Sequence, residues 1–173
     1  MPCVSGPKAA GESLARSLHP DWRNLKFLAS KVAEKDAGTV TGLMDGMRGD
    51  GQRISWIGYA DVNGRVLQAS DNLLVGEEVN QRPWSRNGLR EPYAGVVHEA
   101  VLLAKLIACD QTAGLRFVDL AIPVKRAGGQ VLGVVGMHIY FAWAERFLKE
   151  EAAALALSLY LSGSDGQIIV STT

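Results

Sequence analysis

The chain has 173 residues, 47% apolar and 21% charged, with 18 basic residues balanced by 18 acidic ones. This is ordinary globular composition and excludes a disordered chain. Balanced charge without a basic block also excludes a nucleic-acid partner, which would need clustered cations against phosphate.

One domain with room for a small appendage is the default at this length. Residues 6–15 read as a loose lead, and Pro20 as the first turn of a helix, with Asp21 favourably placed beside it. Trp22, Leu25, Leu28, Ala29, Val32 and Ala33 form one apolar stripe at helical spacing, opposite Lys26, Lys31, Glu34 and Lys35. Gly38 ends that helix. Thr39 is read as the cap of a second, carrying Val40, Leu43, Met44 and Met47.

Residues 54–60 are strand-like and lead into Asn63-Gly64, a strong hairpin signal because both positions tolerate positive φ. Residues 65–70 are the return strand, and Asp61 is assigned to the turn. A polar loop over 71–81 leads to Arg82-Pro83-Trp84, and Glu91-Pro92 breaks the chain. An apolar helix is expected over 95–107, with Glu99 and Lys105 outward. Residues 117–124 are a third strand, Gly128-Gly129 a tight turn and 130–139 an apolar, central return strand. A helix over 141–157 and a last hairpin, 159–171 about Asp165-Gly166, complete the chain. That hairpin echoes the first: strand, turn, strand and a closing serine recur, either because hairpins look alike or because a second module starts there.

No run approaches the ~18 consecutive apolar residues of a membrane span, and residues 1–7 lack the apolar core of a signal peptide. The end directly after a strand suggests a piece of a longer chain. Cys3 and Cys109 have no zinc-site spacing and read as a loose terminal thiol and a buried, inert one. No nucleophile elbow, phosphate loop or metal-binding His pair is present, and Glu77-Glu78 and Glu150-Glu151 are sequence neighbours that need not face one another. The expectation is therefore no enzyme, no cofactor and no metal.

Five blocks in order carry a family resemblance: Trp56-Ile57-Gly58-Tyr59-Ala60-Asp61 with Asn63-Gly64; Gly76 through Arg82-Pro83-Trp84; Val97-His98-Glu99-Ala100; Phe117-Val118-Asp119-Leu120-Ala121-Ile122-Pro123-Val124; and Gly133-Val134-Val135-Gly136. Together, over roughly residues 20 to 173, they resemble a bacterial Cache sensor domain. The resemblance implies an α+β fold: a PAS-like antiparallel sheet, a long N-terminal helix and a helical cover over a ligand pocket. It implies a flexible lead over 1–19, a distal sensor module over 20–143, a connecting helix over 144–158, and over 159–173 the first hairpin of a truncated second module. It further implies an extracytoplasmic domain of a membrane-anchored histidine kinase, diguanylate cyclase or chemoreceptor, binding an amino acid, organic acid or amine.

Amino-acid-binding members carry an Arg-x-Trp pair and a strand aspartate, matched here by Arg82, Trp84 and Asp119. Glu77 and Ser85 stand where aromatic residues are usual. Arg82 offers a planar donor fork for a carboxylate, Trp84 a wall for an apolar or cationic group, and Asp119 an acceptor for an ammonium. Tyr93 and His98 are candidate polar contacts. Against these stand structural roles: Arg82 in an ion pair with Glu77, Glu78 or Asp119, Trp84 in the core, and His98 as a structural histidine. His19 and His138 are given no role. The competing reading is a structural module that homodimerises through Trp22, Leu25 and Leu28 of the long helix.

Overall fold

The computed structural model describes residues 6–99, 115–162 and 166–173. The expectations for Cys3, Cys109, residues 100–107 of the apolar helix and the Asp165 turn position lie outside these residues. The chain divides into two compact units, one of residues 22–140 and one that combines the chain up to Asp21 with residues 141–173.

The larger unit is built on a six-stranded antiparallel sheet. Strands β1 (Ile54–Asp61) and β2 (Val66–Ala69) form the first hairpin, and β5 (Arg116–Lys125) and β6 (Val131–Tyr140) the second. Two short strands, β3 (Tyr93–Ala94) and β4 (His98–Glu99), both pair with β5, and the order is β2-β1-β6-β5-β3. β6 is thus central, as its nearly continuous apolar run predicts. The Asn63-Gly64 turn forms as expected: Gly64 takes φ 84°, and the Asp61 carboxylate accepts from the Asn63 and Arg65 amides at 2.9 Å each.

Side chains on antiparallel strands share a face with their direct partners and alternate along each strand. Register therefore sorts this sheet into two faces. One carries Ile57, Leu120, Ile122, Val135, Met137 and Ile139, all buried. The other carries Trp56, Ala60, Phe117, Ala121 and Val134, which form a buried cluster with Leu74, Val79 and Trp84. Helix α2 (Ala37–Arg48) packs against β1 and β2, with Val40 and Met44 fully buried.

Four local expectations are corrected. Helix α1 runs without interruption over Gly6–Val32, so residues 6–15 are helical and Pro20 is internal rather than a start; an internal proline removes one backbone donor but does not always stop a helix. The cap of α2 is Asp36, whose carboxylate accepts from the Thr39 amide at 2.9 Å and the Thr39 hydroxyl at 2.7 Å. Those two bonds hold the Asp36 carboxyl below its ordinary range. Residues 95–97 are not helical and His98–Glu99 is strand β4, because β4 completes the edge of β5 and satisfies backbone groups there. Leu25 and Leu28 are fully buried within the chain, which removes them from any partner-helix interface.

The polar loop over 71–81 is an arch held by specific bonds. Asp71, Asn72 and Leu74 all take positive φ, uncommon for residues other than glycine. The Asp45 carboxylate accepts from the Asp71 amide at 2.8 Å, and Arg48 pairs with Asp71 at 2.6 Å. The Trp56 indole N–H donates to the Leu73 carbonyl at 2.9 Å.

In the smaller unit, α4 (Phe141–Leu155) buries Phe141, Ala144, Leu148 and Ala152 on one stripe. β7 (Tyr160–Ser162) and β8 (Ile168–Ser171) form the last hairpin. Leu14, Leu148, Leu159 and Leu161 line an apolar cleft of about 260 Å³ in this unit.

Candidate functional site

Three side chains stand in one row across the middle of the sheet. Trp56 on β1 is opposite His138 on β6, and His138 is opposite Asp119 on β5. They share the face that carries the Trp84 cluster. Phe117 and Tyr140 are paired on one side of this row, and Gly58, Gly136 and Ala121 lie on the other. β4 then brings His98 opposite Phe117, diagonally next to Asp119.

The glycines of this face make room for the cover. Helix α3 (Pro83–Gly88) follows the exposed Arg82 and packs on β5 and β6. A methyl group on Gly136 would stand 2.7 Å from the Trp84 ring, and one on Gly88 would stand 2.6 Å from Ala121. Close approach of backbone and ring is thus why small residues sit here. Trp84 lies 5.6 Å from Trp56 and edge-on to His138 at 5.8 Å, while Trp56 and His138 overlap at 5.0 Å. Phe117 adds a fourth ring at 6.3 Å from His138.

Inside this cage the polar chemistry is concentrated on one carboxylate. Asp119 is almost fully buried and uses both oxygens: Oδ1 bonds His138 Nδ1, and Oδ2 lies 3.3 Å from His98 Nε2. Its backbone carbonyl accepts from the Gly95 amide at 2.7 Å, which anchors the β3–β4 connection to β5. Nδ1 of His98 in turn faces the Val96 carbonyl at 3.1 Å. His138 is buried and His98 about one-third exposed, so the cluster runs from the core outward. Each carboxylate oxygen of Asp119 thus faces an imidazole nitrogen, His138 Nδ1 on one side and His98 Nε2 on the other.

Of the sequence-stated candidates, Trp84, His98 and Asp119 converge around His138. Tyr93 is half-buried beside them: the same hypothetical methyl on Gly95 would lie 3.2 Å from its ring and 3.3 Å from Asp119 Cβ. Arg82 stands apart, exposed at the start of α3, and its guanidinium forms no ion pair with Glu77, Glu78 or Asp119 among the described residues. Glu77 is exposed. Ser85, in the place of an aromatic, is fully buried, and its hydroxyl has no hydrogen-bond partner among the described residues. His138, given no role from the sequence, is the residue that Asp119, Trp56 and Trp84 all touch. Its signal was available, because Asp119 and His138 each lie nine positions from Gly128 and Gly129, the pair that turns the hairpin.

No protein-family model and no curated relative matches the sequence. Solved structures do match. The isoleucine-bound sensory domain of the Campylobacter jejuni chemoreceptor Tlp3 (CcmL) superposes with a TM-score of 0.71 at 12% identity, covering 97% of this chain and 68% of that one. The fold is that of the Cache-type sensor domains of bacterial chemoreceptors. The valine-bound ligand-binding domain of Pseudomonas fluorescens CtaA gives 0.73 at 16% identity, over 95% of this chain and 71% of that one. The ligand-binding domain of the Pseudomonas aeruginosa amino acid chemoreceptor PctC, in complex with GABA, gives 0.69 at 16% identity, over 95% and 72%. The antiparallel sheet and the long first helix are the features expected from the sequence.

Proposed function

We propose that the chain is the ligand-binding sensor domain of a bacterial signalling protein and takes a small molecule such as an amino acid, an organic acid or an amine. The observation that carries this is the convergence of Trp56, Trp84, Asp119, His138 and His98 on one face of a Cache-type sheet. Aromatic walls with a few convergent polar groups are the usual makeup of a small-molecule site. The carboxylate would face a ligand's positive end, and Trp84 and Tyr93 would bound its body. Arg82, exposed and without an ion pair among the described residues, is the candidate partner for a ligand carboxylate. The Cache neighbours with isoleucine, valine and GABA support a ligand with an amino group.

On this reading the domain has no catalytic role and works on the extracytoplasmic side of a membrane-anchored parent. Among the described residues, no helix is long and apolar enough to cross a membrane. Residues 20–143 are then the distal module, 144–158 a connector and 159–173 the opening hairpin of a second module. The two compact units, with their break between Tyr140 and Phe141, support that division.

The test is a thermal-shift screen of amino acids, organic acids and amines, followed by calorimetry of the hits. A ligand at 100 times its Kd stabilises by about 2.7 kcal/mol. Arg82→Ala is expected to abolish binding of a carboxylate ligand and to leave Tm unchanged, because its side chain is exposed. Unchanged affinity in that variant rules out Arg82 as the anchor. A complete screen without a stabilising compound rules out the sensor reading.

A further inference from the structure

The tautomer of His98 decides what the cluster can hold. Its Nδ1 faces the Val96 carbonyl at 3.1 Å, which can only accept, and the tautomer that satisfies this contact carries its hydrogen on Nδ1. In the neutral ring Nε2 then has a lone pair, and that lone pair points at Asp119 Oδ2 from 3.3 Å. Two acceptors face each other unless a cation stands between them. A proton would serve this one pair. The cluster, however, has a third member: His138 directs Nδ1 at the other oxygen of the same carboxylate, and donor atoms of His98, Asp119 and His138 all lie within 4.8 Å of one another.

We propose that His98, Asp119 and His138 form a binding site for a divalent transition-metal ion of the zinc class. Ligand atoms about 2.0–2.2 Å from a tetrahedral zinc ion lie roughly 3.4 Å apart. The 3.3 Å between His98 Nε2 and Asp119 Oδ2 already has that spacing. His138 reaches it by opening its direct contact with the carboxylate. Two imidazoles and one carboxylate favour zinc, cobalt or nickel over calcium and magnesium, which prefer oxygen donors. The bond from His98 Nδ1 to a backbone carbonyl is the outer contact that orients a metal-bound imidazole. The rings of Trp56, Trp84 and Phe117 around His138 exclude water and fix its plane.

Three protein donors leave a fourth position open. In this respect the inference rests on the reading of the face as a ligand site: an amino acid or organic acid would complete the coordination through its own nitrogen or oxygen. The ligand's donor atoms would then reach the ion, in place of a direct contact between an ammonium and Asp119.

The experiment uses the whole chain after treatment with EDTA and removal of the chelator. Co²⁺ is titrated by visible absorption and Zn²⁺ by calorimetry, with Ca²⁺ as the control, on the wild type and on His98→Gln and Asp119→Asn. His98 is partly exposed, so His98→Gln keeps the test valid if the buried Asp119 variant does not fold; circular dichroism checks both. The expected result is one Co²⁺ or Zn²⁺ per chain, intense cobalt bands of low coordination number, no Ca²⁺ response, and affinity reduced roughly tenfold or more in His98→Gln. No transition-metal binding by the wild type, or equal binding by a folded His98→Gln protein, overturns the site. A parallel thermal-shift screen in EDTA separates this inference from the sensor reading. Stabilisation by an organic ligand in EDTA, without metal binding in the titrations, removes the metal and keeps the sensor. Metal binding in the titrations, with no organic ligand found either in EDTA or in a second screen run with Zn²⁺ present, does the reverse.

Discussion

Gly136→Ala tests whether the face beneath Trp84 is as tightly closed as its geometry implies. The added methyl would stand 2.7 Å from Cε3 and Cζ3 of Trp84 and 3.2 Å from Cδ2. Optimal carbon–carbon separation is about 3.5–4.0 Å, so the ring must retreat by roughly 1 Å. That retreat loosens two ring contacts, to Trp56 at 5.6 Å and to His138 at 5.8 Å. Such pairs contribute about 0.5–1.5 kcal/mol each, and overpacking of a tight core costs about 1–3 kcal/mol. The opposing gain from replacing a strand glycine by alanine is only about 0.5–1 kcal/mol. The net expectation is a loss of about 1–2 kcal/mol, or roughly 2–8 °C in Tm for a chain of this size. Gly46→Ala is the control: Gly46 lies in α2, is exposed and has nothing within 4 Å of the added methyl, so stability should rise. The assay is urea denaturation followed by tryptophan fluorescence, with ligand or metal affinity measured on the same proteins. Equal stability of Gly136→Ala and wild type, with unaltered emission, would falsify the close packing of Trp84 on β6. So would a stability gain in Gly136→Ala equal to that in Gly46→Ala.

Three further outcomes are expected. Trp56→Phe removes the indole donor to the Leu73 carbonyl and leaves a part-buried acceptor unpaired, at a cost of about 1–3 kcal/mol; a urea midpoint equal to the wild type would refute the anchoring of the 71–81 arch through Trp56. Asp36→Ala should lower Tm near neutral pH. Because the Asp36 carboxyl is held below its ordinary value of 3.8 by Thr39, its contribution is present above that pH and lost as pH falls through the lower folded-state value. The Tm difference between Asp36→Ala and wild type should thus close in acid, and a gap independent of pH would exclude the cap. In the last hairpin, Tyr160 and Ile168 are 58% and 63% exposed, so amides of β7 and β8 should exchange faster than those of β5 and β6; equal protection would contradict this.

What the sequence made legible follows from the range of the forces involved. Both β hairpins of the larger unit were readable because their turns are local: Asn63-Gly64 and Gly128-Gly129 each accept positive φ, and the flanking runs have strand character. Residues 95–99 were misread because an apolar run cannot by itself separate a helix from a strand that completes an edge. That choice was made by β5, whose backbone groups at Arg116 and Phe117 pair with Glu99 and His98. The start of α1 is not marked by Pro20, because a boundary rule is weaker than the helical run around it.

The site was half legible for a related reason. Trp84 and Asp119 could be named from the resemblance, since each lies within a recognisable block. His138 takes a further step: late in an apolar strand a histidine reads as a tolerated polar residue, and only folding the hairpin about Gly128-Gly129 sets it opposite Asp119. Its meaning appears only when three strands are aligned. Trp56, His138 and Asp119 then fall in one row, and a fourth segment supplies His98. That alignment also reassigns Asp119. Read alone, it is a free acceptor for an ammonium; read in register, it is a buried carboxylate shared by two imidazoles. The physical question at this site is therefore whether the triad binds a metal ion, before it is which amine the carboxylate binds. Cobalt titration of the wild type and His98→Gln answers the first question without any knowledge of the organic ligand.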